Sequence, residues 1–305
     1  MSDSMNVFDR RLVRLHRDRA AAGFEAHDFL FREVGERLVD RLDDVTRTFP
    51  RALELGCRGG ELAALLGERG GIEQLVQCDL SPAMARRAAR NGRPTAVVDE
   101  EFLPFAPESF DLVLSNLSLH WVNDLPGCLH QIRRILKPDG LFLATMLGGG
   151  TLEELRAALL EAELAETGGV SPRVSPFAEP SEAGGLLQRA GFALPVVDLD
   201  ALTVSYPDPF RLMHDLRGMG ETNAVRARPS RFTRRATLLR AAADYQARYA
   251  DGEGRLPATF RIIYLTAWAP HESQQKPLRP GSARARLADA LDATEVPTGA
   301  KARPK

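Results

Sequence analysis

Residues 51–62, Arg51-Ala-Leu-Glu-Leu-Gly-Cys-Arg-Gly-Gly-Glu-Leu62, constrain the fold more than any other stretch. Ala52 to Leu55 reads as the body of a buried strand. A tight glycine turn follows, and a helix opens at Gly59 or Gly60. Glycine lets a backbone approach a ligand closely, and a helix start offers unpaired N–H groups. Glu54 and Gly56 thus stand at the carboxyl end of a first strand, where open α/β sheets hold nucleotide-like cofactors. The same turn also occurs as plain α/β packing, so the stretches that follow carry the argument.

A second strand, Gln74-Leu-Val-Gln-Cys-Asp79, ends in an acid. An acid about 20 residues beyond the glycines suits ribose hydroxyls, because one carboxylate accepts from both. A third strand, 95–98, runs into Asp99-Glu100-Glu101, and a fourth, 110–115, ends at Ser115 before Asn116. Helices are expected over 60–68, 82–91 and 125–136, and a fifth strand over 141–146 after a Lys137-Pro-Asp-Gly140 turn. Ser81-Pro82 caps one helix and Asn91-Gly92 closes it. This alternation predicts a parallel sheet with helices on both faces.

Two helices are expected over residues 7–47. One carries an apolar face of Val7, Phe8, Leu12 and Leu15, with Arg10, Arg11, Arg14 and Arg17 around it as a solvated surface. Helices ahead of a first strand often lie across the cofactor edge as a lid. Thr151 should cap a helix reaching Thr167, a loop should run from Gly168 to Pro180, and Ser181 should cap a helix ending at Gly191. Leu194–Val204 and Thr259–Trp268 read as strands pairing antiparallel at the sheet edge. Between them lies a helical insertion with eight arginines over 211–240, against Asp215 and Glu221. That charge either receives an acidic protein or carrier phosphate or forms a solvated surface. Beyond Ala269 the chain is polar and Pro-rich, and disorder is expected in its last ten residues.

Composition narrows the class. At 305 residues the chain suits one large α/β domain with additions, or two small ones. Lys plus Arg number 40 and Asp plus Glu 41, a balance that gives no reason to expect a nucleic-acid partner. Cys57, Cys78 and Cys128 lack CxxC spacing, so no zinc site or disulfide framework is expected and a reducing compartment fits. No apolar run reaches a membrane span, no apolar signal core opens the chain, and a bacterial cytoplasm is expected.

As a set, Glu54-x-Gly56-x-x-Gly59-Gly60, Asp79, Leu103-Pro-Phe105 with Ser109-Phe-Asp111, and Leu136-Lys-Pro-Asp-Gly140 resemble the class I S-adenosylmethionine-dependent methyltransferases over about residues 50–147. The resemblance implies a Rossmann-like α/β fold: a seven-stranded, mostly parallel sheet with an antiparallel edge strand, N-terminal helices and a helical insertion. It divides the chain into an N-terminal helical lid (1–47), a cofactor-binding core (48–205 plus 258–270), the insertion (206–257) and an extended tail (271–305). It implies S-adenosylmethionine as cofactor, with Glu54, Gly56, Arg58 and Gly59 at the methionine end, Asp79 at the ribose, Asp99 and Glu100 near the adenine, and Ser115, Asn116 and Leu117 along the methyl wall. The family usually has a third glycine where Arg58 stands; a side chain there either crowds the cofactor methionine or reaches its carboxylate. Asn116, His120 and Trp121 are the candidate catalytic residues; His120 serves as a general base or packs a helix over the strand end. His16 and Arg19 are candidate substrate contacts, and Tyr206 and Tyr245 have no assigned role.

Phe8-Asp-Arg10, Arg17-Asp-Arg-Ala-Ala21, Leu119-His-Trp-Val-Asn-Asp-Leu-Pro126, Thr259-Phe260 … Ala267-Trp268 and His271 … Ala283 narrow the resemblance to the bacterial form of the assembly-factor-5 group of respiratory complex I, over roughly residues 7–287. A related group is the malonyl-carrier-protein methyltransferase of biotin synthesis. Mitochondrial members of the assembly-factor group are implicated in hydroxylating an arginine of a complex I subunit. The six histidines include no H-x-D/E pair of the facial-triad kind, so hydroxylation rests on the resemblance alone. Three functions stay open: an enzyme modifying a protein or carrier-bound substrate, a scaffold binding a complex I subunit, and the carrier-protein methyltransferase.

Overall fold

The computed structural model describes residues 6–275, 282 and 287–294. One compact unit runs to Pro270 and a second begins at His271. The second unit contains the short helix Leu287–Ala290. The last ten residues, where disorder was expected, lie outside the described residues.

The first unit is built on a seven-stranded sheet: β1 (Arg51–Leu55), β2 (Gln74–Asp79), β3 (Thr95–Val97), β4 (Phe110–Ser115), β5 (Leu136–Leu147), β6 (Ala193–Tyr206) and β7 (Leu256–Trp268), in the order β3-β2-β1-β4-β5-β7-β6. The first five pair in parallel, as their nearly unbroken apolar runs require of strands covered on both faces. The expected antiparallel edge is a pair: β7 runs against β5, and β6 against β7. The order reverses beside β1, which places the strand ends of β1, β2 and β4 around one crevice.

Period-two alternation sorts the core into two layers. Ala52, Leu112, Leu114, Leu141 and Leu143 face one side, under α2 (Phe29–Asp40), α3 (Glu61–Leu66) and α6 (Glu153–Thr167). Leu53, Leu55, Val113 and Phe142 face the other, under α5 (Leu125–Ile135) and α7 (Pro180–Arg189). The insertion contributes α8 (Pro209–Gly218) and α9 (Arg235–Tyr249). Ser81 caps α4 (Pro82–Ala88) as expected, its hydroxyl accepting from Met84 N.

Three local expectations are corrected. Thr151 does not cap α6, which starts after Leu152 in a left-handed conformation; its hydroxyl is instead tied to the Arg261 backbone on β7. The Lys137–Gly140 turn is drawn into β5, and the ladder absorbs it as an irregularity between Phe110 and Leu112. In α1 (Arg10–Ala20) the inward face is Val13, Arg17 and Ala20, while Leu15 is exposed. That helix meets a carboxylate-lined sheet edge rather than an apolar one, so its guanidinium groups turn in.

Candidate cofactor edge and adjoining cavity

The turn after β1 is shaped by close approach. Gly56 has a φ of +71°, and a Cβ there would lie 2.1 Å from the Ser118 hydroxyl oxygen. Gly56 N and Cys57 N both donate to Cys78 O, fastening the turn to β2. Arg58 takes the left-handed conformation, with φ +49°, where glycine is ordinarily favoured. Its fully buried side chain compensates. One Nη donates to Glu221 Oε1 at 2.5 Å and to Leu117 O at 3.3 Å, and the guanidinium lies 5.0 Å from the Phe31 ring centroid. Arg58 Nε and Nη1 are buried without a hydrogen-bond partner. Burial and the nearby Arg17 charge lower the Arg58 guanidinium below its ordinary value.

The acids at the strand ends form one network. Asp79 accepts from Ser81 N at 2.7 Å, Arg58 N at 3.1 Å and Arg17 Nη1 at 3.5 Å. Glu100 accepts from Arg17 Nη1 at 3.0 Å, from the Ser118 hydroxyl at 2.7 Å, and from Arg10. Arg10 also reaches Asp99 at 2.5 Å and Trp121 O at 3.2 Å. Burial alone would raise the Glu100 carboxyl, but Arg10 and Arg17 outweigh it and hold it well below the usual carboxylate range. Burial opposes charge on Arg17 too, yet Asp79 and Glu100 hold its proton more tightly than usual.

The other expected site residues separate from this network. Glu54 shares the face of Ala52, where Gln77 Nε2 donates to it at 2.9 Å and Asn91 in turn donates to Gln77. Burial pushes the Glu54 carboxyl up to about 8. Gly59 N donates to Glu61, on the side of the turn toward Arg87. Asn116 is a clamp: its Nδ2 donates to Phe31 O at 2.8 Å and its Oδ1 accepts from the Thr145 hydroxyl at 2.7 Å. The Ser115 hydroxyl is buried without a partner.

His120 and Trp121 converge on a residue that spacing did not single out. Glu221 Oε2 lies 3.0 Å from His120 Nε2 and accepts from Trp121 Nε1 at 2.8 Å. Burial would raise Glu221, but Arg58 and then His120 pull it down to about 2. Burial lowers His120 and dominates the pull of Glu221. These two side chains form the inner end of a cavity of about 530 Å³. Its deep walls are apolar, among them Leu147, Leu155, Phe177, Met213 and Phe260, while Arg217 and Arg231 stand exposed at its rim. Of the eight insertion arginines, Arg211 pairs with Asp215 and Arg240 with Glu166.

Sequence reasoning missed Arg10, Arg17, Ser118 and Glu221. The arginines carried a signal: Arg10, Val13, Arg17 and Ala20 repeat at helical spacing, so a cation interrupts the inward stripe. Glu221 carried none, because only the packing of the insertion brings it to His120.

The methyltransferase domain family matches residues 53–144. Across 93% of this chain and 89% of the relative, the sequence is 46% identical to "Arginine-hydroxylase NDUFAF5, mitochondrial" of Danio rerio. The chain belongs to the NDUFAF5 family. It is also 36% identical to the malonyl-[acyl-carrier protein] O-methyltransferase of a Methylovorus strain, over 88% of this chain and 92% of that protein. The Bacillus subtilis YcgJ structure superposes with a TM-score of 0.54 at 16% identity, covering 77% of this chain and 98% of that one, which establishes the shared fold.

S-adenosylmethionine is the cofactor of this domain family, and the donor set here suits it. The buried carboxylates of Asp79 and Glu100 offer acceptors to hydroxyls and amines, and the unpartnered Arg58 nitrogens and Ser115 hydroxyl offer donors. Among the described residues no helix is long and apolar enough to cross a membrane.

Proposed function

We propose that this protein uses S-adenosylmethionine to modify an arginine on a protein substrate, a subunit of respiratory complex I, in a bacterial cytoplasm. The observation that carries the reading is Glu221. A carboxylate at the inner end of the cavity already receives one guanidinium, from Arg58, and is kept ionised while buried. Such a group is suited to a second guanidinium arriving through the cavity. The sequence relatives named arginine-hydroxylase support the same acceptor.

In this reading Asp79 takes the ribose hydroxyls, Asp99 and Glu100 the adenine side, and the glycine turn with Arg58 and Ser115 the methionine end. Glu54 acts from behind β1 by keeping Gln77 and Asn91 in place. Bound S-adenosylmethionine supplies an electrophilic methyl group. His120, lowered by burial and hydrogen-bonded to Glu221, is available as a neutral base beside the acceptor. Trp121 walls the site, and Asn116 fixes the distance between α2 and β5.

The test is complementation of a deletion strain with wild type, Asp79→Ala and Glu221→Gln, followed by peptide mapping of purified complex I. The expected result is one arginine whose mass gain is present with wild type and absent with both variants. Normal complex I from abundant Asp79→Ala protein would favour a scaffold instead. A second reading, methyl transfer to a carrier-bound acyl acid, is favoured by the exposed Arg217 and Arg231 at the cavity rim, which suit an acidic carrier. Methylation of a malonyl-carrier protein by the purified enzyme would establish it.

A further inference from the structure

We infer that α1 is a built-in competitor of the cofactor: Arg17 holds the carboxylates that S-adenosylmethionine needs, and binding requires α1 to lift. The inference rests on the placement of the cofactor at the Gly56–Asp79 edge. Arg17 is 0% exposed, as is Asp79, and Glu100 is 1% exposed. No route reaches these carboxylates while the guanidinium is in place. Arg17 Nη1 spans Asp79 and Glu100, and Nη2 donates to the Ser118 hydroxyl at 2.9 Å. Ser118 in turn fills the space that glycine opens at position 56. The two features by which this family's fold seats its cofactor, the small residue and the acid, are thus both engaged by the chain's own side chains.

The exchange balances in charge. Buried carboxylates without a counter-charge are costly, and Arg10 and Arg17 supply that charge. S-adenosylmethionine brings a sulfonium, an ammonium and hydroxyl donors to the same acids, so either partner satisfies them but not both together. Side-chain rotation alone is a poor release, since Arg17 sits on the inward face of a helix packed over the edge. The helix is strapped at both ends. Phe8 N donates to Asn123 of the core at 2.7 Å and Asp9 N to Ala224 O of the insertion at 2.8 Å, while Asp18 accepts from Ser81 and Ala83 at the start of α4. Lifting α1 therefore also frees the 222–226 wall, which adjoins the substrate cavity.

The population argument gives the size of the effect. When the binding-competent form is a minor fraction, the apparent Kd rises by the inverse of that fraction. Weakening the α1 contact should recover that loss. The experiment is calorimetric titration of the full chain with S-adenosylmethionine for wild type, Arg17→Gln and Arg10→Gln, with hydrogen exchange of wild type with and without the cofactor. The expected result is at least tenfold tighter binding by Arg17→Gln, a smaller gain for Arg10→Gln, and faster exchange of α1 amides in wild type when the cofactor is added. Weaker binding by both variants, or slower exchange of α1 with cofactor, overturns the inference and makes Arg17 a direct cofactor ligand. If Arg17→Gln does not fold, Arg10→Gln and the wild-type exchange decide alone. Failure of folded wild type and variants alike to bind S-adenosylmethionine would instead remove the cofactor placement, and the inference with it.

Discussion

The Arg58 guanidinium lies 2.5 Å from the Glu221 carboxylate, and this pair joins the glycine turn of the core to the insertion between β6 and β7. Both groups are buried, so neither can fall back on water. Removing one partner leaves the other charged and unpaired, a loss of about 3–5 kcal/mol for buried pairs. Glu221→Gln should lower stability by about that amount, measured by denaturant unfolding. Arg58→Gly also relieves the left-handed strain, which is worth about 1–2 kcal/mol. The double variant Arg58→Gly/Glu221→Gln should therefore be more stable than the sum of the single losses predicts, with a coupling of about 1–3 kcal/mol. Strict additivity would show that the pair is not coupled.

Glu54 sets an alkaline limit on stability. Its folded value is raised to about 8, against an unfolded value of about 4.3. The folded form keeps a proton that the unfolded form releases, so this group costs stability as pH rises from about 4.3 towards 8. Glu54→Gln keeps the hydrogen bond to Gln77 without that cost. It should stabilise the protein by at least about 1 kcal/mol at pH 8 and hardly at all at pH 4, and thermal melts at both pH values would read this. Equal effects at the two pH values would contradict it.

Glu221 has the opposite sign. Its folded value is about 2, below its unfolded value of about 4.3, so its contribution is full above about 4.3 and is lost as pH falls towards 2. Acid unfolding of Glu221→Gln should be shallower between those limits than that of wild type.

Gly56→Ala should be severe. The added methyl meets Ser118 at 2.1 Å and must also accept a φ of +71°. Displacing Ser118 breaks its hydrogen bonds to Arg17 and Glu100. A loss of about 3 kcal/mol or more is expected from strain and unpaired groups together. Ser118→Gly in the same chain should recover part of it. A fully stable Gly56→Ala protein would mean that Ser118 moves freely.

Asn116→Ala separates clamping from chemistry. The change strands the Thr145 hydroxyl and Phe31 carbonyl in a buried site, at about 1–3 kcal/mol. Stability should fall while kcat, measured well below the melting temperature, stays within about a few-fold. An intact fold with abolished turnover would place Asn116 in the reaction instead.

The sheet was legible because its determinants are local. The apolar runs of β1, β2 and β4, the glycine turn and the Ser81-Pro82 cap each act within a few residues, and the strand-end acids follow from them. Local rules failed where a distant partner decided the outcome. Thr151 prefers a cap by propensity but found the Arg261 backbone on β7, and Leu15 belongs to an apolar pattern whose helix met acids.

The sequence alone determined the parallel core, its glycine turn and the acids Asp79, Asp99 and Glu100 at one edge, because strand period and turn chemistry act through neighbouring residues. Only the tertiary structure decided which cations those acids meet and where Arg58 points. Arg17, Ser118 and Glu221 come from α1, the segment after β4 and the insertion, far apart in the chain. Their meeting is set by how buried charges find partners once the layers close, and no spacing along the chain encodes that.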